Sequence, residues 1–217
     1  MKNAESKPLS SVIFITLLFL VFVSTFFCGL AYPVFESHYE IFIIFLAIVV
    51  LINRRESLIP PRGYILPVLL LLSTYIISTI FSINIQNSIK ETIRLISYAS
   101  IFFIVSQINS SQKNTLIKTI VIAAAIISVY SIYQYFWGYQ HTINYLKKVD
   151  SDFLLNSPYA MDILIQKRAI GTFPSPNILA GYLITVFFLA CYAREMLNPG
   201  IALFQIAVIV SAIILTK

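Results

Sequence analysis

Charged side chains are scarce in this 217-residue chain: 15 Lys and Arg and 9 Asp and Glu, or 11%. A soluble domain carries about 25%, so an ordinary water-exposed globule is excluded. Disorder is excluded too, because it needs low hydrophobicity and 59% of this chain is hydrophobic. The solvent that remains is lipid, and the length allows about seven spans of roughly 20 residues. Cysteine is nearly absent. Cys28 and Cys191 both sit inside apolar runs and read as packing residues. Without a C-x-x-C spacing or a Cys/His cluster, neither a zinc site nor a redox motif is readable, and no cofactor is expected. The net charge of +6 does not imply nucleic acid, because the cations are scattered through short segments and form no basic stripe.

What is present is a series of apolar runs. They cover residues 9–32, 40–53, 64–81, 89–108, 116–137, 177–194 and 199–216. The first is too long for a signal-peptide core, and no A-x-A-like site follows it. Pro60, Pro61 and Gly63 break the chain between the second and third. The runs are continuous rather than alternating, which predicts helices and not a barrel. The fold class is therefore all-α and polytopic, with about seven transmembrane helices in one domain over 1–217. The one long connection is a polar loop over 138–176, and function usually sits in such a loop.

Loop charges predict the orientation. An N-terminus inside makes Lys2, Lys7, Arg54, Arg55, Arg62, Lys113, Lys118 and Arg194 cytoplasmic. The 33–39 loop, free of Lys and Arg, then lies outside, and so does the 138–176 loop. Lys90 and Arg94 near the second outer loop weaken this contrast. Trp137, Tyr130, Tyr133, Tyr135 and Tyr139 cluster at the outer end of the fifth run, the place of an aromatic belt.

Residues 168–183, R-A-I-G-T-F-P-S-P-N-I-L-A-G-Y-L, read as a loop that ends in a helix start. Gly171 supplies backbone freedom, Pro174 and Pro176 stiffen the approach, and Asn177 is placed to cap the sixth helix. Ala180 and Gly181 permit close helix packing. Lys167 and Arg168 precede a helix N-terminus, whose partial positive charge favours anions. Together they form a site for a lipid-linked phosphate or pyrophosphate. The plainer reading is ordinary capping with headgroup anchoring.

This run resembles the signature of the O-antigen ligase and polymerase superfamily, bacterial membrane glycosyltransferases of the GT-C type. The matching positions are Arg168, Gly171, Thr172, Phe173, Pro176, Asn177, Ala180 and Leu183. Residues 133–138 resemble the end of the span before the outer loop, and 88–98, with Glu91 and Arg94, resemble the polar entry to the fourth helix. The resemblance implies a GT-C-like fold in the bacterial inner membrane. It implies transfer of a glycan from undecaprenyl pyrophosphate to an acceptor, such as a lipid A–core sugar, at the periplasmic face. The pyrophosphate role falls on Arg168, and Lys167, Gly171, Thr172 and Asn177 are placed beside it. A guanidinium pairs bidentately with phosphate oxygens.

Family members carry a second arginine and a general-base histidine in a later loop. This chain stops at Lys217, so it reads as an N-terminal half, truncated and expected to be inactive alone. His38 and His141 are loop histidines, of which His141 lies on the expected side and is kept as a candidate. Asp150 and Asp152 have a D-x-D-like spacing, but a solvated acidic loop explains them as well, and no metal site is assigned. The alternatives are an O-antigen polymerase, a transport component or a non-catalytic scaffold. Transport is disfavoured by span interiors almost free of charge and by the absence of paired repeats.

Overall fold

The computed structural model describes residues 9–27, 33–53, 63–149, 162 and 164–217. All regular structure among them is helical. The helices are α1 (Ser11–Phe26), α2 (Pro33–Asn53), α3 (Ile65–Ile80), α4 (Ile85–Ser106) and α5 (Ser110–Tyr133). A π-helical turn, Gln134–Gly138, then leads without a break into α6 (Tyr139–Val149). Last come α7 (Pro176–Ala193) and α8 (Pro199–Ile214), joined through the 3-10 turn Arg194–Met196.

Each of the seven apolar runs carries a helix. Three helical stretches are long and apolar enough to cross a membrane: Phe35–Asn53, Ser110–Tyr145 and Pro176–Met196. Ser11–Phe26, Ile65–Ile80 and Pro199–Ile214 are shorter. Sixteen residues rise only about 24 Å, less than the roughly 30 Å hydrocarbon core. By length and composition, three helices among the described residues meet the requirement, so the expectation of an all-helical membrane protein is met and its seven-span count only in part. The loop expected over 138–176 is also revised, since α6 occupies its first third. Asp150, Asp152, Cys28, Arg54, Arg55 and Arg62 lie outside the described residues.

The chain divides into two compact units, Met1–Leu17 with Tyr32–Lys113, and Leu18–Ala31 with Asn114–Lys217. In the first, α2 and α3 both pack on α4. Asn84 caps α4 through the Asn87 amide, 3.2 Å away. Thr79 and Thr92 join their hydroxyls across α3 and α4 at 2.7 Å. The strongest polar contact is ionic. Arg94 on α4 meets Glu36 at 2.6 Å and Glu40 at 3.4 Å, both on α2, and Glu91 at 2.8 Å one turn back on α4. Helix interiors are thus less free of charge than the sequence reading held, because α2 starts seven residues before Glu40 and takes in Glu36.

In the second unit, α7 and α8 pack side by side and α5 joins their core. Ala124, Ala190, Ala193 and Ala212 are all buried there, and such small side chains let helix backbones approach closely. Leu179, Leu183, Val186 and Ile209 fill the spaces between them. Both helices start with a cap followed by proline. Ser175 accepts from the Ile178 amide before Pro176, and Asn198 from the Gly200 amide before Pro199. Proline suits the first helical position because the N–H it lacks has no partner there.

Arg94→Ala leaves the nearly buried Glu40 without its counter-charge and is expected to cost about 2 kcal/mol, discounted for partial exposure. Glu91→Ala removes only an exposed same-helix pair and costs below about 0.5 kcal/mol. Thermal unfolding in detergent micelles compares them, and equal losses would mean that the cluster does not hold α2 to α4.

Candidate functional site

Residues 168–175 are the non-helical stretch that leads into α7. Such a stretch has no ladder of its own, so its backbone groups need partners from elsewhere. Helices of the second unit supply them. The Gln134 Oε1 accepts from the amides of Ile170 (3.2 Å) and Gly171 (2.9 Å). The Tyr139 hydroxyl donates to the Arg168 carbonyl. The Ala169 amide donates to the Leu215 carbonyl at 2.9 Å, beyond the last turn of α8. The Thr172 hydroxyl donates to the Thr25 carbonyl in the last turn of α1 at 2.9 Å.

Packing reinforces these bonds. Phe173 is buried, with its ring centroid 5.1 Å from that of Tyr182 on α7. Gly171 has φ +58°, and a Cβ there would lie 2.7 Å from the Ser131 Oγ on α5. Glycine is required at this position on two counts: the left-handed backbone and the close approach. Lys167 also has a left-handed backbone, with φ +52°, which is uncommon for a non-glycine residue.

The Arg168 side chain, half-buried, lies between two helix ends. Its Nε donates to the Thr216 carbonyl at 3.2 Å, and its Nη2 to the Asn177 Oδ1 at 3.1 Å. The first bond satisfies a carbonyl at the C-terminal end of α8, where helices leave acceptors unpaired and carry partial negative charge. The second ties the guanidinium to the first turn of α7. Among the described residues, Nη1 has no hydrogen-bond partner and no carboxylate pairs with Arg168. Arg94, by contrast, is surrounded by carboxylates.

Each residue singled out from the sequence has a definite place. Arg168 and Asn177 are brought together, but Asn177 is not the cap of α7. Ser175 takes that role with extended backbone and an oxygen 3.3 Å from the Ile178 amide, which frees the Asn177 amide to orient the guanidinium. Gly171 and Thr172 hold the segment to α5 and α1. Lys167 is exposed beside Arg168. His141 is exposed on α6 rather than in a loop, and His38 on α2 likewise. Among the described residues, no group of His, Cys, Asp or Glu is arranged to hold a metal ion.

No family model matches the chain, and no curated protein or solved structure matches it either. The site's geometry is therefore its own witness.

Two residues of the site escaped the sequence reading. In the sequence Gln134 and Tyr139 read as part of an aromatic helix end, yet they carry the hydrogen bonds that fasten 168–171. Their five-residue spacing gives no signal, because in a regular α-helix it sets them on different faces.

Gly171→Ala is expected to cost about 2 kcal/mol or more, combining the left-handed penalty with the clash at Ser131. Adding Ser131→Ala removes the clash but not the backbone penalty, so about half of the loss returns. Thermal midpoints of the single and double variants in detergent measure this.

Proposed function

We propose that this chain binds the pyrophosphate of a polyprenyl-linked glycan through Arg168, as part of an O-antigen ligase-like glycosyltransferase of the bacterial inner membrane. The observation that supports it is a guanidinium held by two uncharged oxygens, with no carboxylate among the described residues paired to it. A half-buried cation without a counter-charge is unfavourable, and an anion in front of it repairs that deficit. The fixed uncharged partners on Nε and Nη2 orient the guanidinium, and Nη1 remains to donate to a phosphate oxygen. The first turn of α7 adds backbone N–H groups and a partial positive charge on the same side as Asn177. Lys167 supplies a second, mobile cation.

In this reading the reaction is displacement at the sugar carbon that bears the pyrophosphate. Arg168 offsets the charge that develops on the leaving group. The acceptor hydroxyl requires a base, and His141 is the candidate within the chain. Seven spans, a cytoplasmic N-terminus and a periplasmic site complete the proposal. An O-antigen polymerase places the same demands on Arg168 and differs only in the acceptor. A transport component is the second reading, and the Glu36, Glu40 and Arg94 cluster favours it, since ionisable groups inside apolar helices often line substrate paths.

The test is binding of undecaprenyl pyrophosphate to the chain in nanodiscs. Arg168→Ala is expected to weaken it about 30-fold or more, from loss of charge-assisted hydrogen bonds. Arg168→Lys keeps the charge but loses the fork and is expected to weaken it about fivefold to tenfold. Membrane insertion should be unchanged in both. Equal affinity for wild type and Arg168→Ala would remove Arg168 from the site. Loss of binding in Arg94→Ala alone would favour the transport reading.

A further inference from the structure

We infer that Gln134 is a positioning residue for Arg168, and that the π-helical turn exists to set it beside Tyr139. The inference rests on the pyrophosphate reading of Arg168 and names the device that aims it.

In a regular α-helix, residues five apart point about 140° away from one another. Gln134 and Tyr139 are five apart, yet both side chains reach the same short segment. The turn between them explains this. The Tyr139 backbone N–H donates to the Gln134 carbonyl, the i to i+5 bond of a π-helix, which brings the fifth residue back over the first. Gln134 then holds the amides of residues 170 and 171, and Tyr139 holds the carbonyl of residue 168. Arg168 lies between these fastenings and the left-handed Lys167. Its backbone is fixed on both sides before its side chain meets Thr216 and Asn177.

The chemistry of Gln134 is specific. Both of its partners are N–H donors, so its amide oxygen must face them. Its amide nitrogen makes no hydrogen bond among the described residues. An acceptor is therefore all that the position requires, and a carboxylate of the same shape supplies one. Gly171 completes the fit, because any larger residue would push the segment off Ser131 and away from Gln134. A glutamine placed only for packing would not need its oxygen aimed at two consecutive amides.

The experiment uses the whole chain in nanodiscs with undecaprenyl pyrophosphate as the probe, alongside hydrogen exchange of the 170 and 171 amides. Gln134→Met keeps the shape and removes the acceptor. Exchange at both amides is expected to quicken, and the probe to bind about tenfold more weakly. Gln134→Glu restores an acceptor, and its affinity is expected within about threefold of wild type. Combined with Arg168→Lys, Gln134→Met should cost less than the product of the two single losses, because both act through one guanidinium. Wild-type affinity in Gln134→Met, or losses that simply multiply, would overturn the inference. If the wild type binds no probe, the pyrophosphate reading fails by itself. Exchange then decides the fastening: quickened amides in Gln134→Met uphold it, and unchanged amides overturn it.

Discussion

A backbone amide in apolar surroundings needs a partner, and the second unit holds one non-helical stretch that makes a single backbone bond of its own, from the Phe173 amide to the Ile170 carbonyl. Residues 168–175 are not helical, and among helices this apolar an unpaired N–H or carbonyl costs several kcal/mol. Its backbone partners come from three directions: the π turn through Gln134, α6 through Tyr139, and the end of α8 through Leu215, while the Thr172 and Arg168 side chains add bonds to the Thr25 and Thr216 carbonyls. Irregular backbone in a membrane protein is tolerated where protein encloses it or where it lines a cavity. Here it is enclosed on the side of Gly171 and Phe173, and Arg168 remains half-open.

Charge is handled differently in the two units. In the first, Arg94 is met by Glu36, Glu40 and Glu91. Three carboxylates around one guanidinium make the cation a fastener of α2 to α4, with no capacity left for an anion. In the second, Arg168 meets only uncharged oxygens among the described residues. Those oxygens fix its direction without cancelling its charge. This difference supports reading Arg168 as the ligand-facing arginine.

The helices were legible because lipid-facing segments announce themselves as continuous apolar runs. Boundaries were less so. Glu36 and Glu40 disguised the first turns of α2, and the polar residues of α6 disguised eleven helical residues as loop. Asn177 was misread as a cap because Asn is a favoured cap residue. Ser175 two places earlier has the extended backbone that the role demands. Gly171 was legible as a position that needs backbone freedom, but its contact with Ser131 was not, since 40 residues separate them. Gln134 and Tyr139 could not be paired from sequence, because a π turn leaves no periodic signature and α-helical spacing sets them on different faces. The role proposed for Arg168 comes from the resemblance to the O-antigen ligase superfamily, and among the described residues no carboxylate pairs with its guanidinium.

The central claim is that Arg168 and its fastened segment meet a lipid-linked pyrophosphate. It is tested most directly by photo-crosslinking the chain in nanodiscs with a polyprenyl pyrophosphate that carries a diazirine near the phosphates. The account predicts label on residues 167–177, suppressed by excess unlabelled undecaprenyl pyrophosphate and lost in Arg168→Ala. Label concentrated on α2 and α4, or label on 167–177 that persists without Arg168, would contradict it.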